Sequence, residues 1–316
     1  QWYLENWHRT IPSNLLLSTN IDANFNLSRD YEDARSAYVI VKMQDGIFQP
    51  QITTFKELYN HYRNIIIGKF NPMSLAKILF KEKFGYSIEN EPINSLNRKL
   101  FNLAFFNPVD IWTTLADKLA VRKFVKSKGC ADILLTVYKY WDNVGVIDFS
   151  SLPNSFVLKC NHDNGSTILV YDKFSVDKSF IEDFYRRKLS LPFGIETAEP
   201  HYLGIKPFVF AEELLENDKQ FSSGLVSYKF FSVHGKVKFC QVIYDTECYD
   251  EQKSQIYETN GWIQCPGYIL KNEGRMKIPQ PTSLMKMLEV VERLSSEISF
   301  CRVDLYEYHG RVYFSE

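Results

Sequence analysis

The sequence predicts an α+β chain. Strand-like and helical stretches alternate along it, and hairpins crowd the last third. Three Gly-containing turns, Asp45-Gly46, His234-Gly235 and His309-Gly310, each sit between β-branched or aromatic runs. Two stretches, 54–67 and 281–298, carry apolar residues at helical spacing.

The 316 residues carry a formal charge of −1, with 45% hydrophobic and 15% aromatic residues. That is the composition of a globular protein, with length for two or three packed units. The charge gives no reason to expect a nucleic-acid partner or a polybasic membrane surface. No apolar run approaches the ~18 residues of a membrane span. The six cysteines form no C-x-x-C pair, so neither a disulfide framework nor a zinc site is expected, and a reducing cytoplasm is the expected location. No secretory signal opens the chain, which begins on Gln1 and not Met, leaving open that the natural N-terminus lies upstream.

Residues 1–30 are Asn/Ser-rich and read as a helix followed by a loop. Ser36–Met43 and Gly46–Thr53 read as a hairpin on an Asp-Gly turn. Thr54-Phe-Lys-Glu57 is a capping-box pattern opening a helix to about Ile67. Helices at Pro72–Phe84 and Ile93–Phe106 follow, and no chemical motif appears in this first third. Asp110–Lys128 reads as one amphipathic helix closed by Gly129. Strands are expected at Ile133–Tyr138, Phe156–Cys160, Ile168–Tyr171 and Pro207–Leu215, with a helix at Asp177–Lys188. Leu225–Val233 and Lys236–Tyr244 form a hairpin. Helix Pro281–Ile298 delivers the chain to a closing hairpin, 300–316. There are no internal repeats and no low-complexity tracts.

Several residues invite a chemical reading, each with an ordinary alternative. Lys159 ends an apolar strand; there it reaches a carboxylate or phosphate, or snorkels to solvent. The loop Asn161–Thr167 has small polar residues able to aim N–H groups at an anion, or is a plain turn. It is not a Walker loop, since G-x-x-x-x-G-K-[ST] occurs nowhere. Glu212-Glu213, after Phe208–Ala211, is a nucleotide hinge or a solvated charge pair. In the last hairpin a three-residue turn, His309–Arg311, sets Asp304 opposite Glu316, with Arg302 on the same face. That arrangement is a Mg²⁺ site beside a guanidinium, or a hairpin face of ordinary charges. A two-residue turn would send the two carboxylates to opposite faces. No G-x-S-x-G or D-x-D motif appears.

The order of these features resembles a known family. Leu115-Ala-Asp-Lys-Leu-Ala-Val-Arg122, Phe156-Val-Leu-Lys-Cys-Asn-His162, Ala211-Glu-Glu-Leu-Leu215, Tyr228-Lys-Phe-Phe231 and Arg302-Val-Asp-Leu-Tyr306 resemble the TupA-like ATP-grasp family, named from teichuronopeptide synthesis, over about Asn107–Glu316. The resemblance implies an ATP-grasp fold, two antiparallel α+β subdomains clamping ATP, with an extra N-terminal α/β module at 1–105. A linking helical segment would span 106–155, the lid subdomain 156–210 and the C-terminal subdomain 211–316. Lys118 and Lys159 would hold the phosphates, with Lys229 in reach. The loop bearing Asn161, His162, Gly165 and Ser166 would be a mobile lid. The Glu212–Leu214 backbone would read adenine, with Glu213 or Asp218 on the ribose. Asp304 and Glu316 would carry Mg²⁺, and Arg302, with Lys159, would act on the transferred phosphoryl group. Arg186, Arg187 and His201 are candidates for an acceptor pocket.

The implied activity is a carboxylate–amine ligase running through an acyl phosphate, with ATP and Mg²⁺. Its partners would be a small-molecule carboxylate, such as a uronic acid sugar of a bacterial cell-surface polysaccharide, and a small amine or amino acid. A glycosyltransferase-associated module and a non-catalytic nucleotide or glycan binder are the other classes considered. The family's pattern usually continues beyond the second metal carboxylate, so the C-terminal subdomain is expected to be incomplete at Glu316.

Overall fold

A computed structural model describes residues 38–44, 47–53, 55–106, 111–190, 192–217, 221–246, 252–265, 273–274 and 276–316. The helix and loop expected within 1–30, and Asp218, lie outside these residues. In chain order the elements are β1 (Tyr38–Gln44), β2 (Ile47–Thr53), α1 (Phe55–Phe70), α2 (Pro72–Phe84), α3 (Leu96–Phe105), α4 (Ile111–Ala116) and α5 (Val121–Ser127). There follow β3 (Val137–Trp141), β4 (Phe156–Cys160), β5 (Ile168–Val170), α6 (Lys178–Ser190), β6 (Val209–Glu212), β7 (Ser227–Val233) and β8 (Lys236–Tyr244). The chain closes with β9 (Lys253–Glu258), β10 (Ile263–Gln264), α7 (Leu284–Ser295), β11 (Phe300–Tyr308) and β12 (Arg311–Phe314). Among the described residues no helix is long and apolar enough to cross a membrane.

The chain divides into two compact units interleaved along the sequence. One comprises Gln1–Thr113, His162–Ser166 and Lys178–Pro207; the other comprises Thr114–Asn161, Thr167–Asp177 and Phe208–Glu316. In the first unit β1 and β2 pair from Tyr38↔Thr53 to Gln44↔Ile47, a two-residue connection at the expected Asp-Gly. Helix α2 has the expected bounds because both ends are marked locally. The Asn71 side chain accepts from Ser74 N at 3.0 Å, Pro72 opens the first turn, and Gly85 closes the helix with φ 79°. Helix α3 starts later than expected because Ser95 Oγ takes the cap, accepting from Arg98 N at 3.2 Å. Leu75, Ala76, Phe80, Ile88, Phe101 and Ala198 form this unit's core.

The second unit holds two antiparallel sheets, of order β3-β6-β4-β5 and β10-β9-β8-β7-β11-β12. Helix α7 covers one face of the larger sheet, with Met287, Val290, Val291 and Leu294 in a core that includes Phe230, Val303 and Leu305. Strand alternation then fixes the other face of β11: Arg302, Asp304 and Tyr306 point away from α7.

Three expectations are corrected here. Residues 110–128 are not one helix. The Asp117 Oδ1 accepts from Leu119 N at 2.9 Å and from Ala120 N at 3.2 Å, a local bond that competes with the helical ladder and breaks the stretch into α4 and α5. The strand expected at Ile133–Tyr138 lies at Val137–Trp141, because its length is set by its partner β6, from Val137↔Glu212 to Trp141↔Val209. The last hairpin turns on two residues, not three. His309 and Gly310 both have positive φ, 50° and 71°, the type I′ geometry that joins Tyr308 to Arg311. His234-Gly235 makes the same turn, with φ 48° and 71°.

Leu305 is fully buried. Leu305→Ala is expected to lower stability by about 2–5 kcal/mol, read from urea unfolding midpoints at an unchanged m-value.

Candidate active site

The larger sheet supplies a buried carboxylate with its cations already in place. Asp304 is 2% exposed and lies directly opposite Lys229 on β7, whose ammonium donates to Asp304 Oδ2. Arg302, two residues back on the same face, donates through Nε to Oδ1 at 2.5 Å and through Nη2 to Oδ2 at 2.6 Å. Burial and the Arg302 charge push the Lys229 ammonium below its ordinary range, against the pull of Asp304.

The two-residue turn should have separated Asp304 from Glu316, and it does not. Past Phe314 the pairing shifts by one. Ser315 N and Glu316 N both donate to Asp304 O, at 2.9 and 3.4 Å, while Asp304 N donates to Glu316 O at 2.8 Å. Two residues facing one is a β-bulge. It restores Glu316 as the partner of Asp304, so the expected pairing is present although the expected turn is not. Lys118 Nζ lies 2.8 Å from Glu316 Oε1, and Arg302 Nη2 lies 4.0 Å from Oε2. Burial alone would raise the Glu316 carboxyl; Lys118, Lys229 and Arg302 outweigh it and hold it at about 2.

The smaller sheet supplies the other charges. Lys159 on β4 makes an ion pair with buried Glu212 at the end of β6. Its ammonium also stands 5.5 Å from the centre of the Phe210 ring. Arg122 donates to Leu135 O, and burial lowers its guanidinium from the ordinary range against the pull of Glu212. Tyr306 joins the two groups electrostatically. Burial pushes its phenol to about 12, with Glu316, Asp304 and Glu212 all adding to the rise against a Ser315 hydrogen bond.

One polar hub connects these parts. Asn161, fully buried, donates from Nδ2 to Asp117 Oδ1 at 2.9 Å and accepts at Oδ1 from Phe208 N at 2.7 Å. Its backbone N donates to Phe208 O at 3.1 Å, and its carbonyl accepts from Lys118 N at 3.0 Å.

The family model for TupA-like ATP-grasp proteins matches residues 99–316, well over half of the chain. The chain belongs to the TupA-like ATP-grasp family. Solved structures similar to it include an ATP-grasp ligase PsnB complexed with a minimal precursor, at 10% identity and TM-score 0.36 over 64% of this chain and 52% of that one. D-alanine–D-alanine ligase from Bacillus anthracis complexed with ATP is similar at 13% and 0.36, over 64% and 54%. An L-amino acid ligase from Bacillus licheniformis is similar at 16% and 0.38, over 69% and 46%. The chain thus spans about half the length of these proteins. No curated protein matches it.

Within this ATP-grasp chain the second unit brings together Lys118, Lys159, Asn161, Glu212, Lys229, Arg302, Asp304 and Glu316. Glu213 also lies there, but its N–H already donates to Thr136 O at 2.8 Å and its Oε2 accepts from Thr136 N at 3.1 Å. That N–H is therefore not available to a base. Leu214 is half-buried beside it. His162, Gly165 and Ser166 belong to the first unit. Within this loop His162, Asp163 and Ser166 are buried, while Asn164, Gly165 and Thr167 are exposed. Ser166 Oγ donates to Asp163 Oδ1 at 2.5 Å, Tyr185 donates its hydroxyl to Ser166 O at 2.7 Å, and Lys188 Nζ stands 3.6 Å from Asp163 Oδ2. Of the acceptor candidates, Arg186 is exposed and paired with Asp183. His201 packs edge-on to Trp112, and burial pushes its imidazole down to about 4.

Sequence reasoning missed Asp117, Tyr306, and the Asp163–Lys188 pair. Tyr306 had a signal, since it shares the strand face of Arg302 and Asp304. Among the described residues no cluster of three or more His, Cys, Asp or Glu forms a self-contained metal cage. Two carboxylates on one bulge do suit Mg²⁺, which binds one or two carboxylates and completes its shell with phosphate oxygens and water.

The Glu316 carboxyl lies far below the ordinary 4.5. A depressed folded value means that its contribution to stability is complete above about pH 4.5 and is lost as pH falls toward 2. Lys118→Met is expected to move the Glu316 titration upward in a carbon-detected NMR series. A titration unchanged from about 2 would show that Lys118 does not set it.

Proposed function

We propose that this chain is an ATP-dependent carboxylate–amine ligase whose nucleotide phosphates are held by Lys118, Lys159, Lys229 and Arg302. The observation that carries the reading is the Asp304–Glu316 bulge with cations against both carboxylates. Four cations face three carboxylates, including Glu212. A divalent metal with a tetra-anionic triphosphate would leave the group within one charge of neutral. Such a site favours a spread of negative charge entering it together with a metal.

Asp304 and Glu316 would hold Mg²⁺, which would supply charge neutralisation to the phosphates. Arg302 already forks onto Asp304. Its guanidinium is placed to meet a phosphoryl oxygen beside that carboxylate. Lys118 and Lys159 exchange their carboxylate partners for phosphate oxygens. The reaction has two balanced steps. A substrate carboxylate oxygen attacks the γ-phosphorus, forming an acyl phosphate and releasing ADP. An amine nitrogen then attacks the acyl carbon, forming the amide and releasing phosphate, with its proton passing to solvent or base.

The proposed carboxylate is a uronic acid of a bacterial cell-surface glycan or its precursor, and the proposed amine is a small amine or amino acid. Support for the sugar is the family's name-giving pathway. ADP and phosphate release should be followed with Mg-ATP across a matrix of uronic acids, other small carboxylates and amino acids. ADP formation is expected to need both partners. Asp304→Asn and Glu316→Gln are each expected to lower turnover by about 10²-fold or more. Absence of ADP release with every pair would remove the ligase reading.

A further inference from the structure

We infer that Asp117 and Asn161 form a positioning pair that sets Lys118 for the triphosphate. The inference rests on the ligase reading for the role of Lys118 and goes beyond it in naming what aims that side chain. Lys118 sits in the turn between α4 and α5, helices of only six and seven residues. A lysine has a flexible four-carbon stem. On such a turn it is not preorganised unless its backbone is fixed, and electrostatic stabilisation depends on charges already in place.

The structure fixes that backbone from both sides. The Asp117 carboxylate accepts from Leu119 N, Ala120 N and Asn161 Nδ2, at 2.9, 3.2 and 2.9 Å. The Asn161 carbonyl accepts the N–H of Lys118 itself at 3.0 Å. Asn161 is meanwhile tied by two hydrogen bonds to Phe208, the residue before β6, and follows β4 by one residue. The turn that carries Lys118 is therefore referenced to the strand of Lys159 and to the strand of Glu212. Through these bonds Asn161 acts as a brace for the cations. The pair lies 44 residues apart in sequence.

The test is a double-mutant cycle on nucleotide affinity. Mg²⁺ with a non-hydrolysable ATP analogue is titrated by calorimetry into wild type, Lys118→Met, Asp117→Ala and the double variant. Asp117 is only half-buried, which favours a folded variant. Asn161→Leu, alone and combined with Lys118→Met, is a second probe that keeps size, adds no charge and removes the bond to Asp117. Asp117→Ala and Asn161→Leu are expected to weaken binding about 10- to 100-fold in wild type and by less than twofold in the Lys118→Met background. The same factor in both backgrounds, or no loss in wild type, would overturn the inference while leaving the ligase reading intact. If Lys118→Met alone costs no affinity, the assignment of Lys118 falls and the positioning role falls with it. If wild type does not bind the analogue, the ligase reading itself has failed.

Discussion

The arrangement of the second unit depends on pairing the Asp304 carboxylate at a position almost closed to water. An unpaired carboxylate there would be strongly disfavoured. Lys229 across the sheet and Arg302 along the strand remove that penalty. Their placement follows from backbone rules: direct opposition on neighbouring strands for the one, period-two alternation for the other. The same alternation turns Val303 and Leu305 into the core under α7. Removing one partner of such a group leaves charge buried without compensation, so neither cation is replaceable in isolation.

The cations proposed for phosphate binding are thus already occupied by carboxylates of the protein. On that proposal nucleotide and metal would enter by exchange of partners, and their affinity would be a difference between two sets of charge-assisted bonds. Tyr306 stands where the two sets meet, feeling Glu212 from one sheet and Asp304 and Glu316 from the other.

The elements legible in the sequence were those bounded by local signals. Helix Pro72–Phe84 and strands Phe156–Cys160 and Lys236–Tyr244 fall where Pro, Gly and apolar runs place them. The split at Asp117 was missed because its cause is one side-chain oxygen competing with the helical ladder. The turn at His309-Gly310 was misjudged although its twin, His234-Gly235, reads as a two-residue turn. The charged residues of the site were legible as charges at the ends of apolar strands, and the Asp304–Glu316 pairing was found for the wrong reason. A bulge at Ser315 depends on what the neighbouring strand offers, which a linear pattern does not contain. The Asp117–Asn161 bond joins segments that only the folded sheet brings together.

The two compact units share the chain in alternating pieces, and it passes from one to the other five times between Thr113 and Phe208. Each return closes a loop whose entropy must be met by contacts far apart in sequence. During synthesis from the N-terminus, residues 38–105 can form their hairpin and helices early. The first unit still lacks its last piece until Pro207 has been made. The second unit lacks β11 and β12, and Asp304 its surroundings, until residues 300–316 have been made. Until that hairpin is made, the nascent chain carries incomplete partners whose unpaired strands are open to aggregation.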